Sequence, residues 1–192
     1  MAEKAGAAAH RDELLAGLRG TVVEVGAGSG LCFAHYPTTV TEVLAVEPEP
    51  YFRQMATEAA ASVPTAVRVV AGSAERLPAG DGTFDAAVAS LVLCSVPDQK
   101  AALAEIRRVL RPGGELRFYE HVRAVDTRLA RWQDRVDRIW PHLGAGCHAN
   151  RDTVAAIESA GFVVETYRRF DFRPGIVVQV VAPHVIGSAR VA

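Results

Sequence analysis

The sequence predicts an α/β fold: a doubly wound, mostly parallel seven-stranded sheet with helices on both faces and an antiparallel hairpin at its C-terminal edge. Three observations carry this. From residue 21 onward, short β-branched runs alternate with longer stretches of helical periodicity, the rhythm of βα units around a parallel sheet. The first of these runs ends in the glycine cluster "VGAGSG" at 25–30, the strand-to-helix turn of a nucleotide-binding sheet. The last two runs are separated only by "DFRPG", residues 171–175, which leaves no room for a crossover helix and makes them antiparallel.

In chain order the predicted strands are Thr21 to Val25, Val43 to Glu47, Val67 to Ala71, Phe84 to Ser90, Glu115 to Val122, Phe162 to Phe170 and Ile176 to Ala182. Between the first two, Leu31 to Tyr36 reads as a short helix stopped by Pro37. Pro48 suits the first turn of a helix through Tyr51, Phe52, Met55 and Ala59. The strongest helix is "PDQKAALAEIRRVLRPGG". Asp98 is its N-cap, Leu103, Ile106, Val109 and Leu110 form its apolar stripe, and Pro112-Gly113-Gly114 ends it in a tight turn. A later helix, Arg151 to Ala160, has Asn150 as cap and Gly161 as stop. Residues 123–149 stand outside the βα rhythm. Val125, Leu129, Trp132, Val136, Ile139 and Trp140 fall on one helical face there, which predicts either a cover for a pocket or a helix packed on the domain.

Bulk properties narrow the function. A chain of 192 residues, 49 % hydrophobic, makes a single domain with one sizeable core. Lys plus Arg (21) nearly balances Asp plus Glu (22), so nothing favours nucleic acid or an anionic membrane surface, and the expected partner is a small molecule met by a monomer or homodimer. Cys32, Cys94 and Cys147 are odd in number and contain no CxxC pair, so their spacing suggests neither a disulfide framework nor a metal site; a reducing cytoplasm is the expected setting. Charges at Glu3, Lys4, Arg11, Asp12 and Glu13 break up the N-terminal stretch, and no segment reaches the ~20 apolar residues of a membrane span.

The glycine loop is the most informative motif. A dinucleotide fingerprint starting at Gly26 needs a third glycine where Leu31 stands, and the Gly-Lys-Ser/Thr ending of a phosphate-binding P-loop is absent. What stands is E-V-G-A-G-S-G. Glu24 at the strand end is unfavourable beside a pyrophosphate and favourable beside an ammonium or sulfonium. Glu47, closing the second strand, suits a pair of ribose hydroxyls. Adenosine carrying a cationic amino-acid tail satisfies both acids.

With the loop Glu24 to Gly30, the acid Glu47, "AGSAERLP" (71–78), "FDAAVAS" (84–90) and "VLRPGG" (109–114), the chain resembles the class I S-adenosylmethionine-dependent methyltransferases over roughly residues 20–182. The resemblance implies a Rossmann-like sheet and S-adenosyl-L-methionine as cofactor. It implies that Glu24 with Gly26, Ala27, Gly28 and Gly30 holds the methionine end, Glu47 and Pro48 the ribose, Ser73 and Ala74 the adenine, and Ser90 and Leu91 the far wall. Ser73 stands where that family has an aspartate.

A sulfonium methyl is already activated, so the protein has mainly to align an acceptor and exclude water; no metal is required. The ends of the fourth and fifth strands, "SLVLCSVPD" (90–98) and "YEHV" (119–122), face that position. There His121 is a candidate base, Glu120 its orienting acid, and Cys94 lies on the nearest loop; His121 is equally readable as a structural histidine, and Cys94 more readily as a small apolar filler. "LVLCSV", "YEHV", a Trp-containing insert and "GCHANRDT" (146–153) further resemble the methyltransferase-like alkyl-thiol S-methyltransferases. That resemblance implies a small thiol acceptor, with His148 joining His121 beside it. The apolar N-terminal anchor of the better-known members has no counterpart in residues 1–20. Methylation at oxygen or nitrogen of a lipid head group, quinone or specialised metabolite is the alternative, and a non-catalytic cofactor-binding module a second.

Overall fold

The computed structural model describes residues 6–173 and 179–192. Seven strands form one sheet in the order β3-β2-β1-β4-β5-β7-β6. They are β1 (Gly20–Val25), β2 (Val40–Val46), β3 (Val67–Val70), β4 (Phe84–Ser90), β5 (Leu110–His121), β6 (Phe162–Asp171) and β7 (Pro183–Val191). The first five pair in parallel, with Val23 opposite Leu44 on one side and Ala87 on the other. β7 runs antiparallel to both neighbours, so the reversed strand lies inside the C-terminal edge rather than on its rim.

Strand alternation splits the core between the two faces. Val23 and Val25 of β1 and Leu116 and Phe118 of β5 face one cluster, closed by Leu103 and Ile106 of α3 (Gln99–Val109) and Ile157 of α6 (Thr153–Ser159). Val22, Val43, Ala45 and Val88 face the other, closed by Leu14 and Leu15 of α1 (Ala7–Leu15), Phe33 of a 3-10 turn at Phe33–His35, and Ala56 of α2 (Pro50–Ala60). Of the stripe read for α3, Leu103, Ile106 and Val109 are buried on the helix, and the Asp98 carboxylate caps it by accepting the Ala101 N–H at 3.0 Å; Leu110, also buried, already pairs with Phe84, so residues 110–114 open β5 instead of ending the helix in a turn.

Four local expectations need correction. α2 begins at Pro50 with Glu49 as its N-cap residue, because the Glu47 N–H is still bonded to Val70 in the sheet and Pro48 lies in the connecting loop. α6 is capped by Asp152, whose side chain accepts from Ala155, whereas the Asn150 amide is turned to Asp134. The final strand is Pro183–Val191; of the stretch expected there, 176–178 lies outside the described residues and Gln179–Val181 is a 3-10 turn. The polar content of "PHVIGSARV" hid this strand, yet β7 needs Gly187: a Cβ there would sit 2.4 Å from the Thr166 carbonyl oxygen. Finally, α1 forms at Ala7–Leu15, where the sequence reading placed no element, with Leu14, Leu15 and Leu18 almost fully buried.

In the insert, α4 (Thr127–Val136) and α5 (Trp140–Leu143) form, but the predicted apolar face is not the buried one. Val125 and Ile139 are exposed and Trp132 is 38 % exposed, while Ala130 and Gln133 are buried. Gln133 explains the inversion. Its amide N–H groups donate to the carbonyls of Val122, Ala149 and Val180 at 2.9–3.1 Å, and its Oε1 accepts the Ala124 N–H at 2.7 Å.

Candidate active site

At the carboxyl ends of β1, β2 and β4 lies a cavity of about 480 Å³, within the size range of small-molecule sites. A larger cavity, about 790 Å³, lies between α3, α6, Pro112 and Val191, away from the glycine loop. Of the residues expected at the cofactor, Gly26, Gly28, Glu47, Pro48, Ser73, Ala74 and Leu91 line the first cavity. Glu47 is 5 % exposed. Its Oε2 accepts the Gly28 N–H at 2.8 Å and its Oε1 the Glu49 N–H at 3.0 Å, which fixes the carboxylate on the loop and leaves each oxygen a lone pair for a hydroxyl. A side chain at Gly26 would collide with Val92, and its φ of 65° is one only glycine adopts freely.

The other expected cofactor residues do not line the cavity. Glu24 shares the face of Val22, not of Val25, so its carboxylate points into the core beneath Cys32 and Tyr36, where it accepts the Tyr36 hydroxyl at 2.8 Å. Burial raises its pKa to about 7, against the hydrogen bonds from Tyr36 and Cys32. Ala27 is buried in the same cluster. Gly30 serves packing, since a Cβ there would meet the Phe33 ring at 2.6 Å. Ser90 is half-buried beside Cys32.

Val92 and Ser95, within the stretch 90–98 expected to face this position, and Ala145, within the insert expected as a possible cover, line the cavity; Phe52 and Glu75 on its wall were not anticipated. The available signal was backbone conformation, which no residue pattern displays: the two non-glycine residues with positive φ among those described, Leu91 (59°) and Ala145 (50°), both line this cavity. Such conformations cost about 1–3 kcal/mol and persist where surrounding structure imposes them. Leu91 is held by donating its N–H to the Tyr119 carbonyl at 2.7 Å.

Beside the cavity, the candidate acceptor residues separate. Glu120 and His121 are neighbours on β5 and therefore project to opposite faces. Glu120 does not orient His121; fully buried, it accepts the backbone N–H groups of Val92, Leu93 and Cys94 at 2.9–3.0 Å and clamps the loop after β4. Burial holds its pKa well above the usual carboxylate value, against those same bonds. His148 is turned to Asp137, its Nδ1 2.9 Å from Oδ2. His121 instead meets two sulfurs, with Nδ1 3.6 Å from Cys94 Sγ and 3.4 Å from Cys147 Sγ. The thiol pair is polarised. Hydrogen bonding to Cys147, with burial, pushes the Cys94 thiol up to about 12, and the same bond holds Cys147 below the ordinary thiol value.

Comparison with known proteins decides what this arrangement belongs to. The family described as "Methyltransferase domain" matches residues 23–118, from the core of β1 through β5. This chain belongs to the S-adenosylmethionine-dependent methyltransferases. Over 181 residues it is 36 % identical to the human thiol S-methyltransferase TMT1B, a match spanning 91 % of this chain and 73 % of that protein. A quinone-biosynthesis C-methyltransferase, UbiE of Methylobacterium nodulans, is 42 % identical over 102 residues, 53 % of this chain and 38 % of its own. Among solved structures, geranyl diphosphate methyltransferase in complex with SAM superposes with a TM-score of 0.73 at 17 % identity, over 98 % of this chain and 85 % of that one, a likeness of fold. The cavity suits the methyltransferase cofactor in volume, in the fixed carboxylate of Glu47 and in the open glycine backbone at Gly28.

Proposed function

We propose that this methyltransferase transfers the S-adenosylmethionine methyl group to the sulfur of a small-molecule thiol. The observation that carries this reading is the 36 % identity to human TMT1B along nearly the whole chain, including the insert, whereas the similarity to the quinone enzyme is limited to about half the chain. When bound, the cofactor supplies an already activated methyl group. Glu47 accepts the ribose hydroxyls while its bond to Gly28 keeps the loop in place. Gly26 and Gly28 give the methionine end a close backbone approach, Ser73 and the Ala74 backbone meet adenine, and Leu91 closes the far wall.

Glu24 acts from beneath, shaping the loop through Tyr36 and Cys32 and favouring a cationic ligand above it. An aliphatic thiol, with a pKa of ~8.5, supplies some thiolate near neutral pH, so the demand on a protein base is small. Of the acceptor-side residues, half-buried His121 is the one we assign to the acceptor; Cys94 is fully buried and His148 is engaged by Asp137. The single domain works as a monomer or homodimer in a reducing cytoplasm, with residues 123–149 bordering the acceptor side through Ala145 and Cys147.

The test is transfer of labelled methyl from the cofactor to a panel of alkane thiols, amines, phenols and a demethylated quinone. Thiols are expected to be labelled, with a rate that rises as pH approaches the thiol pKa. Labelling of amines, phenols or the quinone with none of thiols would reject the sulfur acceptor.

A further inference from the structure

We propose that Cys94, His121 and Cys147 form a binding site for one divalent transition-metal ion of the zinc class, with the two sulfurs and His121 Nδ1 as ligands. The three donor atoms lie within 4.8 Å of one another, although they come from the loop after β4, the end of β5 and the loop after α5. Their spacing fits such an ion. With Zn–S near ~2.3 Å and Zn–N near ~2.0–2.1 Å at tetrahedral angles, a sulfur and a nitrogen on the same ion stand ~3.6 Å apart. The observed separations from His121 Nδ1 are 3.6 Å to Cys94 and 3.4 Å to Cys147. One ring nitrogen therefore approaches two sulfurs at nearly equal length, the spacing that ligands of a shared ion require.

The supports are those expected of a site that holds its ligands before the ion arrives. The Glu120 carboxylate takes the N–H groups of Val92, Leu93 and Cys94 and fixes the first sulfur. The His148 N–H donates to the Cys94 carbonyl at 2.7 Å, tying the second cysteine's loop to the first. Between them Gly146, at φ 82°, lies so close to Ser95 that a Cβ would stand 3.0 Å from its carbonyl oxygen. Arg151 donates to the carbonyls of Leu93 and Val96 at 2.8 Å and closes the same junction.

Two thiolates and a neutral imidazole suit a borderline-soft dication. On binding, the ion displaces the two thiol protons to solvent, and the thiolates neutralise its charge. Three protein ligands leave the fourth tetrahedral position to water or to a small exogenous donor, as in metal sites that keep an open coordination position. CxxC spacing could not reveal this site, since each ligand comes from a different part of the chain.

The test is anaerobic titration of the reduced, metal-free full-length protein with Co²⁺, then Zn²⁺. Expected are thiolate-to-cobalt charge-transfer bands with tetrahedral d–d absorption that saturate at one equivalent and are bleached by Zn²⁺. Cys94→Ser and Cys147→Ser should each weaken binding by well over a hundredfold, beyond the ~10–100-fold of a change outside the ligands. Cys32→Ser should leave the stoichiometry at one. The absence of charge-transfer bands in the wild-type titration overturns the site without reliance on any variant's folding, as do bands that persist unchanged in either ligand variant.

Discussion

Single residues here act through the side of the strand on which they fall. Glu24 was legible as the acid before the glycines, but its environment was not, because period-2 parity puts it with Val22 against Tyr36 and Cys32. The consequence is measurable. A carboxyl with a pKa near 7 folded and 4.5 unfolded binds more protons in the native state between those values, so its contribution to stability falls as pH rises through that window and is flat above it. Glu24→Gln, which keeps an acceptor for Tyr36, should therefore gain stability over the wild type by about 2 kcal/mol between pH 5 and pH 8. Urea denaturation of the cofactor-free proteins at the two pH values checks this; an equal difference at both would place the ionisation elsewhere. The same parity makes Glu120 a clamp on residues 92–94 and leaves His121 on the other face with Tyr119 and His184.

At the scale of elements, those defined by local pattern were readable and those defined by tertiary contacts were not. α3 declares itself through its cap and stripe, and β1 through the run into the glycine loop. α4 misleads because its apolar residues look like a buried face, while its anchor is an amide that satisfies backbone groups from three other segments. Replacing that amide should cost far more than its place on a helix suggests. Gln133→Leu leaves one N–H and three carbonyls without their partner, and should destabilise the protein by about 3 kcal/mol or more at ~1–3 kcal/mol for each buried polar group left unpaired. A loss under about 1 kcal/mol in chemical denaturation would show that the insert is not held by this residue. β7 was displaced in the sequence reading for a related reason. Its glycine and polar residues are dictated by packing between β5 on one side and β6 on the other, which a single strand's own pattern does not display.

For the molecule as a whole, a doubly wound, mostly parallel sheet and a cofactor cavity at its carboxyl ends followed from the βα rhythm, the glycine loop and Glu47, and the wall at Ala145 did not, because it depends on how the insert returns to the sheet. The cavity links ligand to global stability. Saturation with S-adenosylhomocysteine at about a hundredfold over Kd adds about 2.7 kcal/mol, which for a chain of this size raises Tm by about 5–10 °C. Glu47→Ala should remove most of that rise at the same ligand concentration, since a hydrogen bond to a charged group is worth about 1.5–3 kcal/mol. An unchanged shift, measured by calorimetry, would move the ribose away from Glu47. The central place of β7 also sets an order of assembly. β6 leaves the ribosome before β7 but touches the rest of the sheet only through it, so the edge must wait, unpaired, until the later strand is made. Residues 20–97, which carry most of the cofactor cavity, are under no such delay. His121, whose backbone pairs with His184 of β7, is therefore among the last parts of the site to be fixed during synthesis.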